Sequence, residues 1–456
     1  MGAERASKLR EENPHPFMMS QNLKLALFTA FTNYLKDKAV SHVIVGDVSG
    51  YPKAIGSDVD IVVSQDDFER LDKLLLEFAR AKGVDLVQVL RHEVSSAYYV
   101  ISQRALSERT QGERAYLALD MGSDYMRDGQ TFIAAERFLA QRREHASGFF
   151  VPEPRVGFIY YLLKKVLKGG VDERQWAYIK ETYAEDEAGG AEELRGLWSE
   201  VLSQKVVSSL ASDNLASFQA LMGDLEKQLP KKRALLPELK RVVKRVTEPT
   251  GLWIAMFGPD GAGKSTIIEA LETNLSPAFR HVLRRHLRPH LGKKPKASDN
   301  APVTDPHGEK ARGSQTSLLK IAYWWADYTF GYWFQTLPAS VRSTLTIFDR
   351  YYHDILVDPT RYRYGGPKSL TGFVGAIVPK PALTFILDAE PEVFQARKQE
   401  VTFEETARQR TAYQGLSRRL PGAHIIDVDR EVSAIAAEVE DIIIAHMVER
   451  TRQRLS

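Results

Sequence analysis

Residues 258–266 read GPDGAGKST, and this stretch decides the fold of the second half of the chain. Residues 258–265 match the complete pattern G-x-x-x-x-G-K-[ST], whose glycines let backbone amides curl around phosphate oxygens. The preceding residues 252–257, LWIAMF, form an apolar run that is typical of a buried parallel strand. The following residues 267–272, IIEALE, favour a helix, whose N-terminus adds positive potential. Strand, glycine loop and helix in this order predict a site for a nucleoside triphosphate.

The residue types of this loop match the needs of a bound triphosphate. Lys264 can reach the β and γ phosphates as a mobile point charge, and Ser265 can ligate Mg²⁺. We therefore expect ATP and Mg²⁺ as the cofactors. The predicted nucleotide-binding residues are Gly258, Asp260, Gly261, Gly263, Lys264, Ser265 and Thr266. A glycine-rich turn before an ordinary helix is the alternative, but it does not account for the complete pattern in this context.

The composition is that of a soluble globular protein with more than one domain. The chain has 456 residues, of which 43% are hydrophobic and 27% are charged, so two or three domains are expected. It contains no cysteine, which excludes disulfides, thiolate nucleophiles and cysteine-type zinc sites and fits a reducing, cytoplasmic compartment. The net charge of +3 is small for this length, which argues against a nucleic-acid partner.

Two stretches bear on export and membrane contact. Residues 1–14 are charged and lack the apolar segment of a signal peptide. Residues 318–337 form the most hydrophobic helical stretch, but Lys320 and Asp327 interrupt it. We therefore interpret it as a buried or substrate-lining helix rather than a transmembrane span, with contact to a membrane surface as the alternative.

Residues 20–145 contain carboxylates that are placed to bind divalent cations. Asp58 and Asp60 share one face of a short apolar strand, because side chains alternate with a period of two, and Asp120 lies on a later strand. Such a set can hold a pair of divalent cations against a triphosphate. A strand that carries two solvated acids is the alternative.

This arrangement resembles the nucleotidyltransferase superfamily, whose pattern is a strand, a glycine, Asp-x-Asp on the next strand and a late third carboxylate. The matching positions are Gly46, Asp58, Asp60 and Asp120. The resemblance implies an α+β domain over residues 20–145, with the three aspartates as metal ligands. The chain departs from the pattern at Asp47, where the family has Ser or Gly beside the incoming phosphates. A carboxylate there repels a triphosphate unless a metal or Lys53 offsets it.

Residues 146–248 predict a helical middle domain or linker, without chemistry that the sequence identifies. The helical pattern begins at about residue 136, and one of its predicted helices covers residues 192–202. Basic residues cluster near its end, at 230–233, 240–241 and 244–245. This cluster is interpreted as a solvated linker helix, with an anionic partner as the alternative.

From residue 250 to residue 456, strands and helices alternate, which predicts a parallel sheet with helices on both faces. The predicted strands are 252–257, 281–287, 344–348, 383–388 and 423–427. The polar segment 292–313 is rich in Lys, Pro and Gly and predicts a mobile loop.

This last part resembles the thymidylate kinase family of P-loop phosphotransferases. Four features carry the likeness: the loop 258–266, the FDRY sequence at 348–351, the strand and helix start at 383–392, and the charged segment 397–413. The catalytic residues that the resemblance implies are Lys264, Asp349, Arg350, Arg397 and Arg408. The predicted acceptor-binding residues are Asp260, Arg288, Arg350 and Tyr351. In this family the aspartate at position 260 meets the sugar hydroxyl of the acceptor, and the later arginines form a lid.

The departures from that family lie on the acceptor side. The Arg-Glu-Pro-Gly-Gly-Thr segment after the second strand is absent, and HLRPH at 286–290 stands in its place. Phe257 stands where the family has Glu. Because those family residues face the acceptor nucleotide, we expect an acceptor other than thymidine monophosphate.

The sequence thus predicts an ATP-dependent kinase for a small-molecule acceptor that resembles a nucleotide, a sugar phosphate or a polyol phosphate. Its nucleotidyltransferase-like domain is expected to act in the same pathway. One alternative is an ATP-binding regulatory module with an inactive first domain. Another is nucleotidyl transfer to a different substrate, nucleic acid included. The sequence leaves the oligomeric state open, and a homodimer is one of the alternatives.

Overall fold

The computed structural model describes residues 16–104, 114–127, 129–230, 235–291, 311–399 and 401–456. These residues divide into two compact units. The first contains those up to 104, those from 114 to 241 and those from 451 to 456, and the second contains those from 242 to 450. The helical middle part groups with the first unit, and its separation as a third domain stays a prediction. The basic run at 231–233 and most of the segment 292–313 lie outside the described residues.

A five-stranded sheet forms the centre of the first unit. Its strands are β1 (His42–Val45), β2 (Val59–Val63), β3 (Asp85–Leu90), β4 (Ser96–Arg104) and β5 (Arg114–Gly122). Two short hairpins follow, β6 (Tyr125–Arg127) with β7 (Gln130–Ile133) and β8 (Arg142–Glu144) with β9 (Phe150–Pro152). The strand order is β1-β2-β5-β4-β3, in which β2 and β5 are the parallel neighbours. Their register sets Asp60 directly opposite Asp120.

Helices cover both faces of this sheet. They are α1 (Pro16–Asp37), α2 (Gln65–Glu69), α3 (Leu71–Lys82), α4 (Ala135–Ala140), α5 (Pro154–Lys168), α6 (Glu173–Ala184), α7 (Glu187–Leu197), α8 (Glu200–Ala211) and α9 (Leu215–Gln228). One core joins α1 and α3 to the face that carries Ile44. A second core joins α4 to α9 to the opposite face through Val43 and Val45. Because alternate residues of β1 enter different cores, the strand is buried throughout.

The first unit differs from the sequence expectation at two places. A helical pattern was expected from residue 136 onward, but α4 ends at Ala140 and the β8–β9 hairpin follows. Its turn requires a left-handed residue, which Gly148 supplies with φ +81°. The helix expected over 192–202 is divided, because Trp198 is extended and buried, and its Nε1 donates to the Leu225 carbonyl over 2.9 Å.

A five-stranded parallel sheet forms the centre of the second unit, which confirms the predicted parallel sheet. Its strands are β10 (Leu252–Phe257), β11 (His281–His286), β12 (Thr344–Asp349), β13 (Leu383–Asp388) and β14 (Ala423–Asp427). The order is β11-β12-β10-β13-β14, and each neighbouring pair is parallel. The carboxyl ends of β10 and β12 are therefore adjacent, with Met256 paired to Asp349.

The remaining helices precede, connect or follow these strands. They are α10 (Leu235–Thr247), α11 (Lys264–Leu275), α12 (Ser314–Gly331), α13 (Leu337–Val341), α14 (Asp354–Val357), α15 (Lys368–Ile377), α16 (Pro391–Arg397), α17 (Phe403–Ser417) and α18 (Val432–Leu455). A short π-helical turn, Tyr332–Thr336, joins α12 to α13. Over the part of the chain that the structure describes, we find no helix with the length and apolar character to cross a bilayer.

Candidate functional site

The glycine loop connects β10 to α11, and its backbone needs glycine at several positions. Gly258, Gly261 and Gly263 have φ values of +150°, +84° and +77°, which favour a residue without a side chain. A Cβ on Gly258 would lie 3.0 Å from the Leu387 carbonyl oxygen, and a Cβ on Gly261 would lie 2.9 Å from that of Phe394. The loop is therefore packed tightly against the end of β13 and the helix Pro391–Arg397 that follows it.

Lys264, the first residue of α11, points its ammonium group back into the loop. Its Nζ donates to the carbonyl oxygens of Gly258 and Pro259, each over 2.8 Å. Burial, and then the nearby Arg350, lower the pKa of Lys264 to about 8. A bound anion would relieve both effects, since it would compensate the positive charge in a buried place.

The ends of β10 and β12 bring three of the predicted residues together. Arg350 follows β12 with φ +67°, and its backbone N–H donates to the Met256 carbonyl over 2.9 Å. Its guanidinium is buried and donates through Nη2 to Asp260 Oδ1 over 2.7 Å. Through Nη1 it donates to Asp354 Oδ2 over 2.8 Å and to the Tyr413 hydroxyl over 3.0 Å. The predicted Asp260, Asp349 and Arg350 thus lie at one edge of the sheet.

Asp260 is held by two arginines, of which the sequence pointed to one. Arg361, in the loop after α14, donates to Asp260 Oδ2. Burial by itself raises the pKa of Asp260, but Arg350, Lys264 and Arg361 lower it far below its usual range. The RYRYGG run at 361–366 has no spacing that marks one arginine, so only the folded loop reveals the contact.

Ser265 and Asp349, the expected neighbours of Mg²⁺, are joined by a side chain that the sequence did not single out. Arg284 Nη2 donates to Ser265 Oγ over 2.9 Å and to Asp349 Oδ2 over 3.1 Å. A hydroxyl and a carboxylate within reach of one cationic group are oxygen donors of the kind that Mg²⁺ prefers, so these residues fit the ion. Thr266, the last residue of the motif, is exposed on α11.

The predicted lid arginines lie on α16 and α17, and each has a partner in this structure. Arg397 is exposed, and its Nη2 donates to the Val428 carbonyl over 3.0 Å. Arg408 donates to both oxygens of Glu405 and to the Val357 carbonyl. The predicted role of Arg397 and Arg408 in phosphoryl transfer therefore requires them to exchange these contacts.

Two predicted acceptor residues have different surroundings. Arg288 donates to Asp327 Oδ2 over 3.3 Å, and its guanidinium lies over the Tyr323 ring, 5.4 Å from the ring centre. Tyr351 is buried in the core of the second unit, and its hydroxyl donates to the Pro379 carbonyl over 2.9 Å. The Tyr351 side chain thus packs inside the unit and does not line its surface.

The first unit gathers its three predicted metal ligands into one cluster. Asp58, Asp60 and Asp120 each place one carboxylate oxygen within 4.8 Å of the others. Burial, followed by the charge of Asp60, raises the pKa of Asp120 to about 7. Three carboxylates this close repel one another, and a divalent cation would relieve that repulsion. The donor set therefore fits Mg²⁺.

Two further side chains, Lys164 and His92, lie beside this cluster. Lys164, on α5, donates to Asp60 Oδ2 over 2.6 Å. Burial by itself lowers the pKa of Lys164, but Asp60, Asp120 and Asp58 together raise it above its ordinary value. His92 Nε2 lies 3.5 Å from Asp120 Oδ1. The amphipathic pattern of α5 gives no sign of the contact between Lys164 and Asp60, since it marks Lys164 only as a polar position.

The carboxylate of Asp47, the departure noted in the sequence, is compensated by another residue of the first unit. Arg174 Nη2 lies 3.3 Å from Asp47 Oδ2, and Ser49 donates to Oδ1 through its backbone and its hydroxyl. The offsetting charge therefore comes from α6, and not from Lys53 as the sequence suggested.

Comparison with known proteins finds similar sequences for less than half of the chain. No protein-family model matches the chain. A thymidylate kinase of Xanthomonas oryzae pv. oryzae (strain PXO99A) is 27% identical over 226 residues, covering 44% of this chain and 87% of that protein. A thymidylate kinase of Xanthomonas campestris pv. campestris (strain B100) is 26% identical over 215 residues, covering 45% and 88%. A protein described as "Probable thymidylate kinase" from Pyrobaculum aerophilum is 23% identical over 207 residues, covering 42% and 95%.

Among solved structures, the thymidylate kinase from Ehrlichia chaffeensis aligns with 42% of this chain and 99% of its own, at 19% identity and a TM-score of 0.30. The resemblance to thymidylate kinases is thus confirmed in sequence for about 44% of the chain. The resemblance of residues 20–145 to nucleotidyltransferases stays a prediction.

Proposed function

We propose that the second unit is an ATP-dependent kinase, a P-loop phosphotransferase that moves the terminal phosphoryl group of ATP to a small-molecule acceptor. The observation that carries this proposal is the convergence of Lys264, Asp260 and Arg350 at the adjacent ends of β10 and β12. The likeness of part of the chain to thymidylate kinases supports the same class of reaction.

Phosphoryl transfer is mainly a problem of neutralising charge and aligning two oxygens. The loop amides and the Lys264 ammonium would hold the β and γ phosphates of the donor. Ser265 and Asp349 would hold Mg²⁺, which supplies further charge neutralisation when bound. Arg350 and Arg361 would bind an anionic acceptor by exchanging their contacts with Asp260.

Arg397 and Arg408 are proposed to close over the transferred group. Closure would add positive charge where the transition state is most negative and would exclude water, which otherwise hydrolyses ATP. Because both arginines now bind protein oxygens, closure competes with those contacts.

The acceptor is proposed to be a phosphorylated small molecule other than thymidine monophosphate. Thymidine monophosphate is nevertheless the first compound to test, since it is the acceptor that the relatives' name implies. One feature favours a different acceptor. The HLRPH segment replaces the family's acceptor-facing residues.

The test is acceptor-dependent formation of ADP by the full chain with ATP and Mg²⁺. The panel contains thymidine monophosphate, other nucleoside monophosphates, sugar phosphates and polyol phosphates, preceded by a thermal-shift screen for binding. The proposal expects ADP only when an acceptor is present and none with Lys264→Ala. ATP binding without turnover on any acceptor would instead favour the regulatory alternative.

A second function, nucleotidyl transfer by the first unit, is favoured by its three clustered carboxylates. In that reaction an acceptor oxygen attacks the α phosphate of a nucleoside triphosphate and pyrophosphate leaves. Asp58, Asp60 and Asp120 would hold the cations that the triphosphate needs, and Lys164 would balance charge beside them. With a kinase on the same chain, phosphorylation followed by nucleotide activation of one compound is the reaction sequence that we propose.

Release of pyrophosphate is the readout for this second function. It should require Asp58 and Asp60 and should not require Lys264. If salt-sensitive nucleic-acid binding accompanied it, the acceptor would be a nucleic acid rather than a metabolite.

A further inference from the structure

Two adjacent arginines on the edge strand β11 point to opposite faces of the sheet. Arg284 faces α11, where its Nη2 binds Ser265 and Asp349 and its Nη1 lies 3.6 Å from Glu269 Oε1. Arg285 faces the other way and lines a small pocket with Leu283 and Phe348. Arg284 and Arg285 are therefore neighbours of the same residue type that have different surroundings.

The guanidinium of Arg284 occupies the place where this loop would hold its divalent cation. It binds the hydroxyl of Ser265 and the carboxylate of Asp349 with one nitrogen, over 2.9 Å and 3.1 Å. Mg²⁺ would use the same two groups. A guanidinium and a divalent cation cannot share them, because two like charges at contact distance repel strongly in a partly buried site.

The structure also offers Arg284 a second position. Glu269, one turn along α11 from Ser265, is mostly exposed and lies near the other end of the same guanidinium. The Arg284 side chain is itself 31% exposed, so it can turn toward Glu269 without opening the core. Displacement from Ser265 and Asp349 therefore leaves the arginine with a carboxylate partner.

We propose that Arg284 is a built-in competitor of Mg²⁺, which holds Ser265 and Asp349 together until the ion replaces it. The inference rests on the proposed binding of ATP and Mg²⁺ by this loop. Its consequence is that Arg284 raises the concentration of free Mg²⁺ that the site needs. The loop then binds the donor tightly only when Mg²⁺ is plentiful.

The experiment measures ATP affinity of the full chain by isothermal titration calorimetry at a series of free Mg²⁺ concentrations. The variants are Arg284→Gln, which removes the charge, Arg284→Lys, which keeps the charge without the planar fork, and Arg285→Gln as the matched control. Lys264→Ala supplies the blank for ATP that binds elsewhere. A thermal unfolding scan of each variant verifies that it folds.

The midpoint is the free Mg²⁺ concentration at which the affinity for ATP is halfway to its maximum. It should fall roughly tenfold in Arg284→Gln, because two charge-assisted hydrogen bonds no longer oppose the ion. Arg284→Lys should lie between Arg284→Gln and the unaltered chain, and Arg285→Gln should match the unaltered chain. An unchanged or higher midpoint in Arg284→Gln, or an equal shift in Arg285→Gln, would overturn the inference and leave the kinase proposal standing. If the unaltered chain binds no ATP at any Mg²⁺ concentration, the proposed function fails and this inference fails with it.

Discussion

Each of the two units places a lysine with little exposure near carboxylates, but the resulting charges are unbalanced in opposite directions. In the first unit the pKa of Asp120 is raised to about 7, by burial and then by Asp60, although Lys164 binds the same cluster. In the second unit the pKa of Lys264 is lowered to about 8, by burial and then by Arg350, although three aspartates lie nearby. The first site is short of positive charge, and the second is short of negative charge.

This difference indicates what each site is built to attract. A cluster whose carboxylate resists ionisation gains most from a divalent cation, whereas a cluster whose lysine resists protonation gains most from an anion such as a triphosphate. The partners of the two lysines explain the difference, since Lys164 binds a carboxylate and Lys264 binds only carbonyl oxygens. The two sites should therefore respond differently to the same kind of change.

The largest effect on activity should come from replacing Lys264, compared with the same replacement of Lys164. Lys264→Ala should lower acceptor-dependent ADP formation by at least roughly 10³-fold, because the transferred group loses its main positive contact. Lys164→Ala, the matched removal in the first unit, should leave ADP formation unchanged. Equal losses in the two variants would show that the second unit does not carry the reaction by itself.

The next largest effect should be a loss of metal affinity that is specific to the first unit. Asp60→Asn should weaken Mn²⁺ binding by the first unit roughly 100-fold, since it removes one of three charged ligands and the carboxylate that neutralises Lys164. Calorimetry with Mn²⁺ on the full chain measures this loss, with the exposed Asp66→Asn as the control. Retained tight binding would place the cation elsewhere.

The two sites should also have opposite pH dependence. A cation needs ionised Asp120, so its affinity for the first unit should rise about tenfold per pH unit up to about pH 7 and then level off. Triphosphate affinity in the second unit should instead fall above about pH 8, as Lys264 loses its proton. Calorimetric titrations across this pH range measure both trends, and parallel trends would contradict the assignment of charges.

Stability should follow the same titration of Asp120. Its folded pKa of about 7 exceeds the ordinary value of 3.8, so its contribution to stability is complete below pH 3.8 and is lost as the pH rises through 7. Added Mg²⁺ should recover stability most strongly above pH 7. Thermal unfolding with and without Mg²⁺ measures the gain in stability at each pH. In Asp120→Asn this gain should no longer depend on the titration of residue 120.

The smallest effect should come from Arg361, the second of the two arginines that donate to Asp260. Arg361→Lys should raise the KM for the acceptor about threefold to tenfold, because lysine keeps the charge but not the planar fork of donors. The KM for ATP should stay unchanged and serves as the internal control. A change in the KM for ATP alone would move Arg361 to the donor side of the site.

The sequence predicted most of the second unit's framework. All five strands of the parallel sheet lie within one residue of the expected bounds. The three central strands, β10, β12 and β13, are buried almost throughout and form short, clearly bounded apolar runs. The β8–β9 hairpin was missed because Gly148 acts through its backbone conformation, which leaves no periodic signal. The division of the helix at Trp198 was missed because its cause is a tertiary contact with Leu225.

The candidate sites were predicted only as far as motifs extend. Residues inside the glycine loop and the Asp-x-Asp strand carry fixed spacing, so their positions could be named. Lys164, Arg284 and Arg361 lie on a helix, an edge strand and a loop, and they reach the sites only through folding. In sequence, each of them is an ordinary surface charge.

The most direct test of this account identifies the products that the full chain forms from ATP, Mg²⁺ and an acceptor found in the binding screen. Phosphorus NMR distinguishes ADP from pyrophosphate in one sample. The account predicts ADP and a phosphorylated acceptor, with ADP lost in Lys264→Ala and kept in Asp60→Asn. ADP formation that survives Lys264→Ala, or that disappears in Asp60→Asn, would contradict it.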